Sequence, residues 1–484
     1  MKSSIEGLIV KHYKNYINGQ WVDSDEQIDV INPATELCIA TIACAGEVEV
    51  NAAVQAASSC VESGVLTKCR PSERAKIIYR IAEEIRAIRD EAVPVLVAEN
   101  GKKTAEALSE FDNAARYFEY YAGMADKIEG RSIPLGEDYI DFTTYEPVGV
   151  SAQIVPWNFP VDLCGRSLAP ALAAGNAVVV KSPELTPLAM TFFATACQNA
   201  GLPKGALNII CGYGHDAGAK LVAHKDVNQI VFTGSVQTGQ AILRSAAQRA
   251  VPCVMELGGK SAAVVFPDAD MTVLADSIDW GIFFNAGQVC SALSRLIVHE
   301  DVYDQVVELA VSLAQSQMIG DGDNPETTLT PLSSADQQTK VLEICRAGEQ
   351  QGATLLVGGK PANRAGYFVE ATVFKDVSLD NDLFQKEVFG PVLAISQFSS
   401  EDEAWALANG TDFGLVAGVF TSDLNIAMRA SKHLKAGQIY VNEWYAGGVE
   451  TPFGGLKMSG FGREKGQEAL YSYVNTKNVA IRLR

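Results

Sequence analysis

A cysteine and a glutamate, each placed beside glycines, are the residues of this chain best placed to do chemistry. Cys290 ends the segment Asn285-Ala-Gly-Gln-Val-Cys, and Glu256 begins the segment Glu256-Leu-Gly-Gly-Lys260. A cysteine in a glycine-rich loop can act as a nucleophile, and a carboxylate before a Gly-Gly turn can be its general base. The two segments together indicate covalent thiol catalysis.

The size and charge of the chain bound what else it can do. Its 484 residues exceed one ordinary core, so two or more domains are expected. The net charge of -19 repels phosphate backbones and anionic lipid, which argues against nucleic-acid and membrane partners. The longest apolar stretch, 168–180, is interrupted by Pro170, Gly175 and Asn176 and is not expected to span a bilayer.

The cysteines and histidines give no sign of a metal site. The ten cysteines form no Cys-x-x-Cys pair, and the five histidines are scattered. No apolar segment follows Met1, so no signal peptide is expected. The sequence therefore predicts a cytoplasmic protein with free thiols and no bound metal.

Short apolar runs alternate with helical segments from residue 149 onward, and this alternation predicts the fold. The predicted strands are 149–155, 177–180, 227–232 and 261–266. The predicted helices between them are 160–174, 186–200 and 238–248. Strands alternating with helices favour a parallel sheet in a doubly wound α/β domain.

The same alternation recurs after Cys290. Residues 294–298 and 392–395 have the pattern of strands, and 301–316 and 334–350 the pattern of helices. A second α/β domain is therefore expected, with the boundary near 256–261. A cleft at that boundary would bring the cysteine and the glutamate to the strand ends of the first domain.

Several motifs, in one order, carry a family resemblance. They are Pro156-Trp-Asn-Phe-Pro160, Lys181-Ser-Pro-Glu184, Phe232-Thr-Gly-Ser235 with Gly239, Glu256-Leu-Gly-Gly259, Gly287-Gln-Val-Cys290, Glu387-Val-Phe-Gly-Pro391 and Pro452-Phe-Gly-Gly455. Over essentially its whole length the chain resembles the NAD(P)-dependent aldehyde dehydrogenase superfamily. The resemblance implies two doubly wound parallel-sheet domains and a small β-flap for oligomerisation.

The resemblance also implies domain limits and an assembly. The NAD-binding domain is expected at 1–127 and 146–255, and the catalytic domain at 256–450. The flap and tail are expected at 128–145 and 471–484, and the assembly is a homodimer or homotetramer.

For the cofactor, the resemblance implies NAD held at a strand–helix junction. No G-x-G-x-x-G fingerprint is present; Gly234, Ser235 and Gly239 match the family's shorter loop, where backbone N–H groups can meet a pyrophosphate. Without the resemblance, an ordinary βα turn would be the favoured interpretation of this segment.

Two further positions are implied to bind the adenosine ribose. Lys181 matches the family's ribose-binding lysine, and Glu184 the carboxylate that accepts from the 2′-hydroxyl and repels a 2′-phosphate, which favours NAD over NADP. The alternative is a surface Lys–Glu pair. At the nicotinamide end the matches are Trp157, Glu387 and Phe389, although Glu387 alone could be a loop salt bridge.

The matched catalytic residues imply a sequence of steps. Cys290 attacks the aldehyde to give a thiohemiacetal, whose oxyanion is stabilised by the Asn158 side chain and the Cys290 backbone N–H. Hydride transfer to NAD leaves a thioester, and Glu256 activates the water that hydrolyses it.

The substrate is less well defined by the sequence. The resemblance places the helix 160–174 along the substrate tunnel, with matched positions at Phe159, Leu163, Arg166, Phe284, Tyr445 and Phe453. Succinate-semialdehyde dehydrogenases carry an arginine where Arg166 lies, so it could bind a distal anion; alternatively it pairs with Asp162, four residues earlier. Their second arginine corresponds to Phe284 here.

The aromatic positions and the single arginine predict an aromatic aldehyde or a semialdehyde with a distal anion. A broad-range enzyme for uncharged aldehydes is the main alternative. A CoA-acylating enzyme is disfavoured because Glu256 is present, and a non-catalytic NAD-binding protein because Cys290 and Glu256 are both retained.

Overall fold

The computed structural model describes residues 11–484. Residues 1–10, which belong to the predicted NAD-binding domain and include the segment after Met1, lie outside the described residues. The strands in chain order are β1 (Lys11–Tyr13), β2 (Asn15–Ile17), β3 (Gln20–Val22), β4 (Glu26–Asn32), β5 (Leu37–Cys44), β6 (Ser132–Ile133), β7 (Tyr139–Pro147), β8 (Val150–Ile154), β9 (Ala177–Ser182), β10 (Leu207–Cys211), β11 (Gln229–Thr233), β12 (Cys253–Glu256), β13 (Ala262–Val265), β14 (Arg295–His299), β15 (Thr354–Val357), β16 (Thr372–Lys375), β17 (Val392–Phe398), β18 (Phe413–Gly414), β19 (Val416–Phe420), β20 (Gln438–Val441), β21 (Leu456–Lys457), β22 (Gly460–Phe461) and β23 (Val474–Arg482).

The α-helices belong mostly to the segments between these strands. In chain order they are α1 (Glu47–Ser63), α2 (Pro71–Asn100), α3 (Thr104–Met124), α4 (Pro160–Ala174), α5 (Ala189–Asn199), α6 (Ala219–Ala223), α7 (Val236–Ala247), α8 (Met271–Ile278), α9 (Tyr303–Gln315), α10 (Ala335–Gln350), α11 (Asp382–Gln385), α12 (Glu401–Ala408), α13 (Leu424–His433) and α14 (Gly466–Tyr471). None of these helices is long and apolar enough to cross a membrane.

The first of two large sheets has eight strands, in the order β22-β12-β11-β8-β9-β10-β2-β3. Strands β8 to β12 run parallel, and β9 and β10 are buried along their whole length, as expected for apolar strands covered on both faces. The chain runs from β8 outward to β10, then crosses back to place β11 on the other side of β8. Such a reversal opens a crevice at the carboxyl ends of β8 and β11, where α/β proteins bind ligands.

The second large sheet has seven strands, in the order β15-β16-β17-β14-β13-β19-β20. Its strands are parallel except for β15, which pairs antiparallel with β16. A separate hydrophobic cluster built from residues 263 to 453 fills one side of this sheet. The two parallel sheets confirm the predicted α/β fold class.

A third sheet stands apart from these two. Strands β23, β7 and β6 pair antiparallel, with nine residue pairs between β23 and β7. These strands fall within or beside 128–145 and 471–484, the segments expected to form a flap and tail. The functional division into domains remains a prediction.

Two helices differ from their expected lengths. The spacing of Ile77, Ile81, Ile85 and Ile88 predicts an amphipathic helix over 72–90, and a second helix is expected over roughly 103–127. In the structure α2 extends to Asn100 and α3 ends at Met124. Pro94 lies inside α2 without ending it. Burial explains the extension, because Leu96, Val97, Glu99 and Asn100 in the last turn are all buried against the body of the protein.

Candidate active site

A cleft lies between the two large sheets, at the carboxyl ends of β8 and β11. It encloses about 610 Å³, part of it open to solvent. The first sheet contributes residues 156–158 after β8 and 233–235 after β11, and the second contributes Cys290, Glu387 and Phe389, which precede β14 and β17. The structure thus brings seven of the predicted site residues to one cleft: Trp157, Asn158, Gly234, Ser235, Cys290, Glu387 and Phe389.

The turn before Cys290 has an unusual backbone. Asn285, Ala286 and Gly287 all have positive φ, at 48°, 52° and 72°. A Cβ on Gly287 would lie 2.1 Å from the carbonyl oxygen of Gly390, so glycine is required there. Two non-glycine residues held in the left-handed region are a strained arrangement of the kind that clusters at functional sites.

The Cys290 thiol is protonated at neutral pH in this environment. Burial raises its pKa to about 12, and the nearby Arg166 guanidinium lowers it only in part. A reactive thiolate therefore requires a general base or a new positive charge in the cleft.

Glu256, at the carboxyl end of β12, is the base that the sequence predicts. Its side chain is buried, and neither carboxylate oxygen has a hydrogen-bond partner within the part of the chain that the structure describes. Burial and then the Glu464 carboxylate raise its pKa well above the usual range. A buried carboxyl group without partners is suited to holding and releasing a proton.

Asn158 is fixed from both ends by hydrogen bonds. Its side-chain Nδ2 donates to the Gln288 carbonyl at 2.9 Å, and its own carbonyl accepts from Lys102 Nζ at 2.9 Å and from Asn285 Nδ2 at 3.1 Å. A primary amide has two N–H groups, so one remains for a ligand. The side chain is therefore a preorganised donor beside the cysteine.

A buried ion pair lies behind Asn158. Lys102 pairs with Glu110, and both side chains are almost fully inaccessible to solvent. Glu110 Oε2 also accepts from the backbone N–H groups of Val161 at 3.1 Å and Asp162 at 3.2 Å, at the start of α4. We call Lys102 and Glu110 the Asn158 support pair, because together they hold both the Asn158 carbonyl and the first turn of α4.

The start of α7 forms the opposite wall of the cleft. Ser235 is the N-cap of the helix, and its hydroxyl accepts from the Thr238 backbone N–H. A Cβ on Gly234 would lie 2.5 Å from the Phe232 ring, and one on Gly239 2.6 Å from Leu257. The two glycines therefore let the start of α7 pack closely against Phe232 and Leu257. The backbone N–H groups of a helix start can bind a phosphate group.

Lys181 and Glu184 form an ion pair and are not among the residues that line this cleft. Lys181 is buried at the end of β9, whereas the Glu184 side chain keeps about a third of its surface exposed. Burial acts to raise the pKa of Glu184, but the Lys181 ammonium outweighs it, and the pKa is lowered. The pair presents a charged carboxylate at neutral pH.

Glu387 lines the cleft, and the sequence resemblance assigns it to the nicotinamide end of the cofactor. Its Oε1 accepts from the Gly259 backbone N–H at 2.9 Å, and a Cβ on Gly258 would lie 2.4 Å from its Oε2. Phe389, with a positive φ of 59°, packs edge-on against Trp157 at 5.4 Å between ring centroids. The close approach of Glu387 thus explains Gly258, whereas a Cβ on Gly259 would lie 2.3 Å from the Cys290 carbonyl oxygen.

Aromatic rings line the other side of the cysteine turn. Phe159 stacks on Phe284 at 5.6 Å, and Phe284 also contacts Trp280 at 4.4 Å and Tyr445 at 6.0 Å between ring centroids. Leu163 is buried on α4 behind them. We refer to Phe159, Trp280, Phe284 and Tyr445 as the aromatic wall.

Arg166 does not form the ion pair with Asp162 that was one alternative from the sequence. Its guanidinium forms an ion pair with Glu464 and lies over the Phe453 ring at 5.1 Å. Glu464 is held in turn by backbone hydrogen bonds in both directions with Phe453, at 2.6 Å and 2.7 Å. Arg166 therefore already has a buried counter-ion.

Sequence reasoning missed Glu464 and the Asn158 support pair. Each works through a contact with a segment far away in the chain, so no local spacing marks it. Burial in the structure marks these residues, since lysine and glutamate are rarely buried unless paired. The sequence alone does not display this signal.

Known proteins match the chain over nearly its full length. The sequence matches the Aldehyde dehydrogenase family over residues 21–479. It is 38% identical to retinal dehydrogenase 2 of Homo sapiens, covering 100% of this chain and 94% of that protein. It is 41% identical to aldehyde dehydrogenase family 2 member B4, mitochondrial, of Arabidopsis thaliana, covering 98% and 89%.

Solved structures agree with these matches. The NAD+ complex of an aldehyde dehydrogenase from Bacillus cereus superimposes with a TM-score of 0.97 at 38% identity, covering 98% of this chain and 97% of that one. The NAD+ complex of a betaine aldehyde dehydrogenase from Staphylococcus aureus gives 0.94 at 34% identity, covering 96% and 94%.

Proposed function

Because the chain belongs to the aldehyde dehydrogenase family and is an NAD-dependent enzyme of it, we propose that it oxidises uncharged aromatic aldehydes to carboxylates with NAD as the oxidant, through a thioester on Cys290 that is hydrolysed by water activated by Glu256. The observation that carries this proposal is the single cleft that joins Cys290 and Asn158 to Gly234, Ser235 and Glu387. A nucleophile and an oxyanion donor there adjoin a helix start suited to a pyrophosphate.

The residues present fit a dinucleotide. The α7 start has the glycines needed for close approach, and the Lys181–Glu184 pair offers a donor and an acceptor for ribose hydroxyls. The charged Glu184 carboxylate disfavours a 2′-phosphate, which supports NAD over NADP. When bound, NAD supplies the acceptor for the hydride.

Cys290 and Asn158 carry the first half of the reaction. The Cys290 Sγ bonds to the aldehyde carbon, and its proton passes to Glu256 or to water. The carbonyl oxygen then bears negative charge, which the remaining Asn158 N–H and the Cys290 backbone N–H stabilise. Loss of one such donor typically lowers turnover by about 10²–10³-fold.

Glu256 carries the second half. Once it has released to solvent any proton taken from the thiol, Glu256 takes a proton from a water molecule, whose oxygen attacks the thioester carbon. The carbon–sulfur bond breaks, the departing sulfur takes that proton, and the carboxylic acid product releases its own proton to become the carboxylate. The buried carboxyl group of Glu256, without hydrogen-bond partners among the described residues, supports this role.

The substrate class follows from the aromatic wall and from the Arg166–Glu464 ion pair. The aromatic wall favours a planar apolar group, since ring pairs gain from offset or edge contacts. The Arg166–Glu464 pair is neutral overall, so a distal anion on the substrate gains no free cation from Arg166. The neutral ion pair therefore favours an uncharged aromatic aldehyde over a semialdehyde with a distal anion, the two substrate classes predicted from the sequence.

The relatives leave the substrate open. Their names include retinal and betaine aldehyde, which differ in both charge and shape.

We also propose a cytoplasmic location, supported by ten cysteines that are all free in the structure.

The test compares aldehydes on the purified enzyme with NAD, with NADP, and with and without CoA. Benzaldehyde is expected to be oxidised at a higher kcat/KM than 4-carboxybenzaldehyde or succinate semialdehyde. Turnover that requires CoA contradicts the hydrolytic role of Glu256, and preference for the carboxylated aldehydes contradicts the uncharged class.

Two variants separate the roles of the residues. Cys290→Ala is expected to abolish turnover while NAD still binds. Glu256→Gln is expected to accumulate an acyl group on Cys290, visible by intact mass spectrometry and peptide mapping. An acyl group on another cysteine contradicts the assignment.

A further inference from the structure

Besides Arg166 Nη2, which is in the ion pair with Glu464, two buried polar atoms on one face of α4 have no hydrogen-bond partner among residues 11–484. They are Asp162 Oδ1, a hydrogen-bond acceptor, and Arg166 Nε, a donor. The residues are four positions apart on the helix, so their side chains lie on the same face. Buried donors and acceptors without partners are rare in native proteins, which makes a matched pair of them informative.

The surrounding protein explains why these atoms do not satisfy each other. Arg166 directs its terminal nitrogen to Glu464 and stacks on the Phe453 ring, so its ion pair is made across to another segment rather than along α4. Asp162 is held at its backbone, where its N–H donates to Glu110 at 3.2 Å. The Asp162 carboxyl group also hydrogen-bonds with Asn113. Arg166 and Asp162 are therefore each held by other contacts, and Arg166 Nε and Asp162 Oδ1 are left without a hydrogen bond among the described residues.

This face of α4 adjoins the reacting groups. The Arg166 charge acts on the pKa of Cys290 and of Glu256. A Cβ on Gly454, next to Phe453 beneath the guanidinium, would lie 2.9 Å from Glu256 Oε1. The unpartnered atoms are thus close to the aldehyde site but distinct from the atoms that react.

The hydrogen-bonding capacity of Asp162 Oδ1 and Arg166 Nε selects the kind of substrate group that fits between them. Asp162 and Glu464 are carboxyl groups, and Arg166 and Lys465 are cations, with Lys465 Nζ at 5.7 Å from the same Phe453 ring. A carboxylate on the substrate lacks a proton for Asp162, an ammonium lacks a lone pair for Arg166, and an ether lacks the proton. A hydroxyl group donates and accepts, so it satisfies both.

We propose that the substrate is a hydroxylated aromatic aldehyde whose hydroxyl group donates to Asp162 Oδ1 and accepts from Arg166 Nε. The inference rests on the proposed function, since it names the substrate class of the same site. The hydroxyl is remote from the carbonyl and takes no part in the reaction. Its contribution is to binding and orientation.

The test compares isosteric aldehydes that differ only in this hydroxyl. The wild-type enzyme is assayed with 2-, 3- and 4-hydroxybenzaldehyde and with the three methylbenzaldehydes. At least one hydroxyl isomer is expected to exceed its methyl counterpart in kcat/KM by about tenfold or more, because the methyl group leaves both protein atoms unpaired. Competitive inhibition by phenol and by toluene measures binding without the reactivity of the aldehyde.

Variants of Asp162 tie the preference to this site. Asp162→Leu and Asp162→Ala are each expected to lower the hydroxyl-to-methyl ratio to within about twofold of unity. Asp90→Leu, which removes an exposed carboxylate on α2, is the matched control and is expected to keep the ratio. NAD binding and the thermal midpoint of each variant report whether it is folded.

The outcomes separate this inference from the function on which it rests. Equal kcat/KM for every hydroxyl and methyl pair, with benzaldehyde oxidised, overturns the inference and leaves the function standing. A wild-type preference that both Asp162 variants retain also overturns it. Failure to oxidise any of the aldehydes overturns the proposed function itself. If neither Asp162 variant folds, the wild-type ratios and the phenol–toluene comparison still decide.

Discussion

Cys290 combines a reactive side chain with an environment that keeps it protonated. Since burial raises its pKa to about 12, the thiolate fraction without NAD rises with pH throughout the neutral and alkaline range. We therefore expect the rate of Cys290 alkylation by iodoacetamide to increase by about tenfold per pH unit between pH 7 and pH 10, with no plateau. The rate is measured by mass spectrometry of the peptide that contains Cys290.

The same experiment with Cys290→Ala identifies the background from the other cysteines. A plateau reached by pH 8 in the wild type contradicts the prediction, because it shows a thiolate that burial alone does not permit. Repeating the titration with NAD present measures how far the cofactor lowers the pKa.

Arg166 and Glu464 form the second residue-scale pair with a measurable consequence. Their side chains are only 6% and 4% exposed, so removal of one leaves a buried charge without a partner. Arg166→Leu and Glu464→Leu are each expected to lower the free energy of unfolding by about 3–5 kcal/mol, and the double variant by less than the sum. Chemical denaturation of the four proteins measures this coupling.

Arg86→Leu and Glu119→Leu, which remove a more exposed pair between α2 and α3, provide the matched control cycle. Its coupling is expected to be about 0–1 kcal/mol. Additive losses for Arg166 and Glu464 contradict the ion pair. They would return Arg166 to the candidates for binding a substrate anion.

At the scale of elements, the Asn158 support pair connects helix packing to catalysis. Lys102 follows α2, Glu110 lies in α3, and together they hold the Asn158 carbonyl and the first turn of α4. Lys102→Met keeps the length of the side chain but removes both contacts. We expect kcat to fall by about 10–100-fold, because small displacements of an oxyanion donor weaken transition-state stabilisation.

A split between kinetic constants distinguishes this positioning role from general destabilisation. The KM for NAD is expected to change little, since the α7 start and the Lys181–Glu184 pair do not contact Lys102. Lys127→Met, an exposed lysine after α3, is the matched control with unchanged kcat. A KM for NAD that rises in parallel with the fall in kcat argues against the role.

Some elements were predictable from sequence and others were not, for physical reasons. The bounds of α4 agree with the prediction because Pro160 favours a helix start and Gly175 can adopt the positive φ of a helix end. The extension of α2 through Pro94 to Asn100 was missed, because tertiary burial outweighs local propensity there. Local patterns give helices and strands, whereas the length of a buried helix depends on its neighbours.

The site divides in the same way. Cys290, Glu256 and Asn158 stand in short motifs that the sequence displays directly. The Arg166–Glu464 pair joins α4 to the segment before α14, and the Lys102–Asn158 contact joins the α2–α3 junction to the loop after β8. Such contacts depend on the packing of whole elements and are not encoded in residue spacing.

For the whole molecule, the open feature is the third sheet. Strands β23 and β7 pair along nine residues, and apolar side chains on and beside them are exposed. The exposed apolar residues, each at least 41% exposed, are Tyr139, Ile140 and Ile481 in the strands and Leu135 and Leu483 next to them. A three-stranded sheet with exposed apolar residues is a surface suited to a protein partner. The resemblance predicts that this partner is another copy of the chain.

Paired substitutions in this sheet test the predicted homodimer or homotetramer. Ile140 and Ile481 lie opposite each other in the β7–β23 register and are 50% and 44% exposed. Ile140→Glu with Ile481→Glu places like charges on one face, so we expect dissociation to smaller species, measured by light scattering after size exclusion. Leu424→Glu, at a residue 74% exposed on α13, is the control and is expected to keep the wild-type mass. A monomeric wild type contradicts the predicted assembly, and an unchanged mass in the paired variant means that copies associate through another surface.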